Sequence, residues 1–214
     1  MIERYSLSPM KELWTEEAKY QRWLQVELTV AEVMAELGQI PKEAAQKIRK
    51  KAKLDIGRAK QIEAQIGHDF LAFVRAVEES IGPEGRFLHK GLTSYDVEDT
   101  ALALAMRDGL DILMSELKDL LKVLKQRAIE HKHTLMAGRT HGMHAEPITF
   151  GLKLLVWHEE LQRSLKRLED AKEIISVGKI SGLESDSATR SPRSSTSSHR
   201  ALRSNFREDG HGDP

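Results

Sequence analysis

Residues 97–129 read VEDTALALAMRDGLDILMSELKDLLKVLKQRAI, and how this stretch is read decides the fold. Apolar side chains return at helical spacing from Val97 through Leu104, Leu110, Leu113, Leu117, Leu121 and Leu124 to Ile129, with no proline to interrupt them. A helix of about 33 residues is on the order of 50 Å long. That exceeds the width of a small domain, so the spacing predicts an elongated bundle. A second long helix is predicted after Pro147, carried by Phe150, Leu154, Leu155, Trp157, Leu161, Leu165 and Leu168 to about Val177. Both apolar faces are broader than one antiparallel pair can cover, so further helices or other subunits are required to bury the rest.

Upstream, the apolar period from Thr15 to about Leu37 predicts a helix that stops at Gly38. Pro41 opens another, rich in Lys and Ala, and Asp55 can cap a third. Gly67-His68-Asp69 interrupts the pattern before Phe70, Leu71, Phe73, Val74 and Val77 resume it. Strand-like alternation is nearly absent. The expected class is all-α, with an N-terminal helical domain over residues 1–92 and the beginning of a central long-helix bundle over 93–182.

The remaining segment, 183–214, has a different composition. It holds eight serines, as many as residues 1–182 together, and five arginines but no lysine, whereas residues 1–182 prefer lysine to arginine by 17 to 11. With no helical period, it reads as a disordered tail or as out-of-frame translation.

Composition excludes several classes of function. The 33 basic and 33 acidic residues balance, which removes any general electrostatic argument for nucleic acid or an anionic membrane surface. There is no cysteine, hence no disulfide, zinc-thiolate site or catalytic thiol. Met1 to Ser6 lacks the pattern of a secretory signal and no stretch approaches a membrane span, so a cytoplasmic location is expected.

Three polar segments stand out: Gly67-His68-Asp69, His89 to Asp96, and Arg139-Thr-His-Gly-Met-His-Ala-Glu-Pro147. Each is placed at a helix end, where unpaired N–H groups and the helix dipole favour anions. A histidine such as His68 at a helix start also makes an ordinary cap, and Thr93 or Ser94 can cap the long helix. His141 beside Arg139 and Glu146 points to chemistry, since a neighbouring carboxylate can keep an imidazole protonated. Metal binding is not expected. His141 and His144 straddle Gly142, while His131 and His133 are two residues apart and would point to different helix faces.

In order and spacing, these segments resemble the adenylosuccinate lyase family of the fumarase/aspartase superfamily. Arg4-Tyr5-Ser6 with Met10 and Trp14, His68-Asp69, Gly91 to Val97, Gly138 to Pro147, Phe150 to Lys153 and Gly178 to Gly182 all carry the resemblance, which covers residues 1–182. Thr93-Ser94-Tyr95-Asp96 is a pattern of the whole superfamily. The segment from Arg139 to Pro147 narrows it to the adenylosuccinate branch.

The resemblance implies a β-elimination that releases fumarate from adenylosuccinate or from the related succinylated carboxamide ribotide. It implies His141 as the general acid, His68 in support, Thr93 and Ser94 on the substrate carboxylates, Arg4 and Tyr5 on the nucleotide phosphate, and Asp69 at the substrate. It implies no cofactor or metal, a small-molecule nucleotide as ligand, and a homotetramer whose sites are shared among subunits. Gly67 departs from the family, where a larger polar residue is common.

After Gly182 the family continues with a small-residue run, further long helices and a mobile loop whose serine acts as base. Residues 183–214 carry none of these, so the chain as written is expected to be inactive alone.

Two other readings remain open at this level. One is another superfamily member, such as argininosuccinate lyase or a cycloisomerase, against which Arg4-Tyr5 and His144 weigh. The other is a noncatalytic helical interaction module with a Ser/Arg tail. Re-reading the coding DNA after codon 182 in the other two frames separates the interaction module from the lyase reading: the lyase pattern is expected to resume, and its absence from both frames would favour the interaction module.

Overall fold

The computed structural model describes residues 2–182. The segment 183–214, and the expectation made for it, lies outside them. The described residues form two compact units, 2–105 together with 176–182, and 106–175.

The first unit contains α1 (Met10–Leu13), α2 (Glu16–Glu36), α3 (Lys42–Lys51), α4 (Ile56–Ile66), α5 (Asp69–Ile81) and the start of α6 (Ser94–Glu130). Helix α2 begins where the Thr15 hydroxyl accepts the Ala18 N–H at 3.1 Å, with Glu16 and Glu17 at the positive end of the dipole. It buries Tyr20, Trp23, Val26, Val30 and Met34 among others, which spread around much of its circumference and make it the central helix. Tyr20 and Trp23 meet Phe70 and Phe73 of α5, with ring centroids 5.0–5.7 Å apart in edge-on and tilted pairs. Such pairs add to the stabilisation from burial alone. Ile48 of α3, Val97 and Leu104 of α6, and Ile180 close the same core. Between α4 and α5, Ala59, Ala72 and Ala76 with Ile62 allow close approach.

The second unit holds the rest of α6, strands β1 (Leu135–Thr140) and β2 (Met143–Thr149), and α7 (Phe150–Ile175). As the apolar period requires, α6 runs 37 residues without a break. Within this unit Met114, Leu121 and Leu165 form a core flanked by Leu117, Leu161 and Leu168. Lys172 pairs with Asp111 across the two helices. At Gly151 an added Cβ would lie 2.4 Å from the Ala128 carbonyl oxygen, so α7 can start this close to the end of α6 only with glycine. Leu113, Leu120, Val123, Leu152, Val156 and Trp157 remain 46–58% exposed, the surplus apolar surface that the breadth of both faces predicts.

The class is helical, as expected, with one local difference. Arg139–Pro147 lies in a two-stranded antiparallel hairpin rather than at a helix end. Its turn has positive φ at both central residues, His141 (50°) and Gly142 (71°), the geometry that matches strand twist in a two-residue connection. Gly138 sits at a register shift, where a Cβ would come 2.4 Å from the Glu146 carbonyl oxygen. Most residues of both strands are exposed or only partly buried, so no apolar alternation marked them in the sequence.

Phe73 is fully buried among three other aromatic rings. Phe73→Ala is expected to lower unfolding stability by about 3–5 kcal/mol, read as a shifted urea midpoint.

Candidate active site

Asp96 organises the polar groups of the first unit. It sits three residues beyond Thr93, in the first turn of α6, with no solvent exposure. Its Oδ2 accepts the Thr93 N–H at 3.0 Å and the Gly182 N–H at 2.8 Å. Its Oδ1 accepts from the Ser181 N–H at 2.9 Å, Lys179 Nζ at 3.1 Å and the Ser181 hydroxyl at 3.4 Å. Burial pushes this carboxyl upward, but the backbone N–H groups of Ser181, Thr93 and Gly182 and the Lys179 ammonium outweigh it and hold the group below its ordinary value. The oxygen securing the helix start is therefore that of Asp96, in the reciprocal half of a capping box.

Thr93 and Ser94, both partly exposed, occupy the turn that Asp96 fixes. The loop before them is held by a second buried carboxylate, Glu27 of α2, whose side chain is 1% exposed. Glu27 accepts the His89 N–H at 2.9 Å and pairs with His89 Nδ1 at 2.6 Å. His89 has a left-handed backbone, φ 53°, and its ring packs on Phe70 at 5.1 Å.

His68 caps α5, its Nδ1 accepting the Leu71 N–H at 3.3 Å. In the neutral ring the proton then resides on Nε2, which is left to donate. Asp69 Oδ1 accepts its neighbour Phe70 N–H at 2.8 Å, and Lys19 approaches its Oδ2 at 4.0 Å while lying over the Trp23 ring at 4.5 Å. Glu98 belongs to the same group. Burial raises its pKa first and Asp69 adds to the effect, with Lys19 and His68 opposing. Glu98 is one helical turn from Ser94, so the two share a face of α6.

Arg4 and Tyr5 lie in a single 3-10 turn, the guanidinium 4.8 Å above the exposed phenol ring. No hydrogen bond or ion pair among the described residues joins either of them to His68, Thr93 or Ser94.

His141 belongs to the second unit, at the exposed tip of the hairpin. Arg139 and His144 are cross-strand partners on the second rung below it, after Thr140 and Met143. Glu146 lies opposite Gly138 midway along the hairpin, and no ion pair links it to His141 among the described residues. The expected carboxylate support for the imidazole is therefore absent from this arrangement. The hairpin register is the reason, since it sets the two residues rungs apart. The described residues contain no group of three or more His, Cys, Asp or Glu placed to hold a metal ion.

The profile of a family described as lyase matches residues 3–193. The chain belongs to this lyase family. The lyase chain is 52% identical over 182 residues to adenylosuccinate lyase of Bacillus subtilis (strain 168) and 54% identical over 182 residues to that of Thermotoga maritima. Each match covers 85% of this chain and 42% of the relative, so the chain spans less than half the length of these curated relatives. Among solved structures, it superposes on fumarate lyase from Mesorhizobium sp. BNC1 with a TM-score of 0.85 at 32% identity, covering 92% of this chain and 47% of that one. It also superposes on the 3-carboxy-cis,cis-muconate lactonizing enzyme of Pseudomonas putida with a TM-score of 0.85 at 27% identity, covering 95% and 48%.

Two contributors were not singled out from the sequence of this lyase chain. Asp96 carried a partial signal, an acidic residue three positions after a capping threonine. Glu27 carried only its oddity as a charge inside the apolar run of α2.

The lowered pKa of Asp96 gives a defined pH dependence. Its contribution to stability is fully present above the unfolded-state carboxylate value of about 3.9 and is lost as pH falls through the lower folded value. Asp96→Asn places an amide opposite several N–H donors, which is expected to cost about 1–3 kcal/mol at pH 7 and to flatten acid unfolding below about pH 4. Urea titrations between pH 3 and 7 measure both effects.

Proposed function

We propose that the chain carries the proton-donor half of an adenylosuccinate lyase site. The reaction is β-elimination of fumarate from adenylosuccinate, leaving AMP, and from succinylaminoimidazole carboxamide ribotide. The observation that carries the reading is His141. It occupies a left-handed backbone at the tip of a glycine-dependent hairpin, exposed and with no hydrogen-bond partner for its ring among the described residues. Non-glycine residues are uncommon in this region, and they are enriched at functional sites as well as in tight turns. The 52–54% identity to adenylosuccinate lyases supports the substrate class.

In this mechanism a base removes the proton from the carbon next to a succinyl carboxylate. The electron pair left behind forms the carbon–carbon double bond of fumarate as the carbon–nitrogen bond breaks. His141 donates a proton to the departing nitrogen, the role of a general acid. Thr93 and Ser94 bind the carboxylates, and the developing negative charge is stabilised best by donors held in place beforehand. Arg4 and Tyr5 take the nucleotide phosphate. His68 supports the reaction through its Nε2–H, with Asp69 beside it at the substrate.

The base in this family pattern is a serine of a Ser-Ser-x-Met-Pro-x-Lys-x-Asn loop, which does not occur in this sequence. In this reading the 214-residue polypeptide brings no base of this kind, and a catalytic site it enters takes the base from another subunit, in a homo-oligomer of the family type.

Purified chain with adenylosuccinate is expected to release no fumarate above background, and sustained release would contradict its inactivity. Mixing it with a full-length relative that lacks its own proton-donor histidine is expected to restore turnover. The same mixture made with His141→Asn is expected to fall by about two orders of magnitude, the scale of general-acid catalysis. Asparagine suits this control because it tolerates the left-handed turn.

A further inference from the structure

We propose that Asp96 is a positioning residue for substrate binding: it makes the geometry of the Thr93–Ser94 turn depend on the docking of Lys179–Gly182. The inference rests on the reading of Thr93 and Ser94 as carboxylate contacts.

Securing a helix start needs one acceptor for one or two N–H groups, and an exposed aspartate does this adequately. Asp96 is instead completely buried, and of its five donors only the Thr93 N–H comes from its own helix end. The other four come from residues 83 to 86 positions downstream. Oδ2 is shared between the Thr93 N–H and the Gly182 N–H, so displacement of residue 182 acts directly on the atom that holds the turn.

A second tie reinforces the coupling one turn along α6. The Thr100 hydroxyl donates to the Lys179 carbonyl at 3.2 Å and accepts the Lys179 N–H at 3.1 Å. Ile180 between these ties is 3% exposed within the core of the first unit. Residues 179–182 are thus held by backbone hydrogen bonds and an apolar anchor, and the charge of Asp96 transmits their position to the turn. Without them, Asp96 would be a carboxylate with one donor and access to water, free to leave Thr93.

The test uses the full 214-residue chain, labelled with nitrogen-15 and titrated with fumarate while the amides of Thr93, Ser94 and Tyr95 are followed. Fumarate is expected to shift these amides in the unsubstituted chain. Asp96→Asn is expected to raise the apparent dissociation constant about tenfold. Thr100→Val, which removes the hydroxyl tie to Lys179 one turn away from the turn itself, is expected to weaken fumarate binding in the same direction and to speed exchange of the Thr93 amide. A purely local cap would not respond to it. Amide positions of α2 and α5 serve as the control for an intact core, and if Asp96→Asn does not fold, Thr100→Val decides alone.

Fumarate affinity within about twofold of the unsubstituted chain in Thr100→Val, while Ser94→Ala abolishes binding, would overturn the positioning role and leave the carboxylate reading standing. No shift of these amides in the unsubstituted chain would overturn the carboxylate reading and the positioning role with it.

Discussion

A carboxylate taken entirely out of water is costly unless its oxygens are fully supplied with donors, and Asp96 is the place where this chain meets that demand. Three backbone N–H groups, a hydroxyl and an ammonium converge on it. The first unit depends on this convergence because it joins the start of α6 to residues 179–182. It also explains why a stretch without regular secondary structure follows a fixed path there. Its backbone donors are used by Asp96 and Thr100, and Ile180 gives it a place in the apolar core.

Glu27 and His89 do comparable work on the other side of the same loop. A charge inside the central helix would be a liability if unpaired, and the paired histidine accepts a left-handed backbone to reach it. His141 has nearly the same backbone conformation, but no buried partner accounts for it. Its positive φ is the one that the two-residue turn of the hairpin requires. The two histidines together show how one unusual φ value can serve a buried pairing in one place and a tight hairpin turn in another.

The partly exposed apolar stripe along α6 and α7 has a different origin. Each helix is apolar over more of its circumference than the other can cover, and the core of Met114, Leu121 and Leu165 uses only one side. The chain spans less than half the length of its curated relatives.

Much of this protein was legible in the sequence. The long helices follow from uninterrupted apolar periods, and the starts of α2 and α4 from Thr15 and Asp55 and their stops from Gly38 and Gly67, because these are local matters of spacing, caps and backbone freedom. The polar segments that carry the candidate site were equally visible, since clustered polar groups beside apolar helices are conspicuous in a linear chain. The hairpin was not. Its strands are mostly exposed, so no alternation betrayed them, and it forms because Gly138, His141 and Gly142 permit a register that few other residues would. Nor could the sequence show that Glu146 would lie away from His141, or that Asp96 would reach Lys179, Ser181 and Gly182. Those pairings join residues far apart in the chain or rungs apart in a hairpin, and only the folded backbone brings a donor to an acceptor or keeps it away.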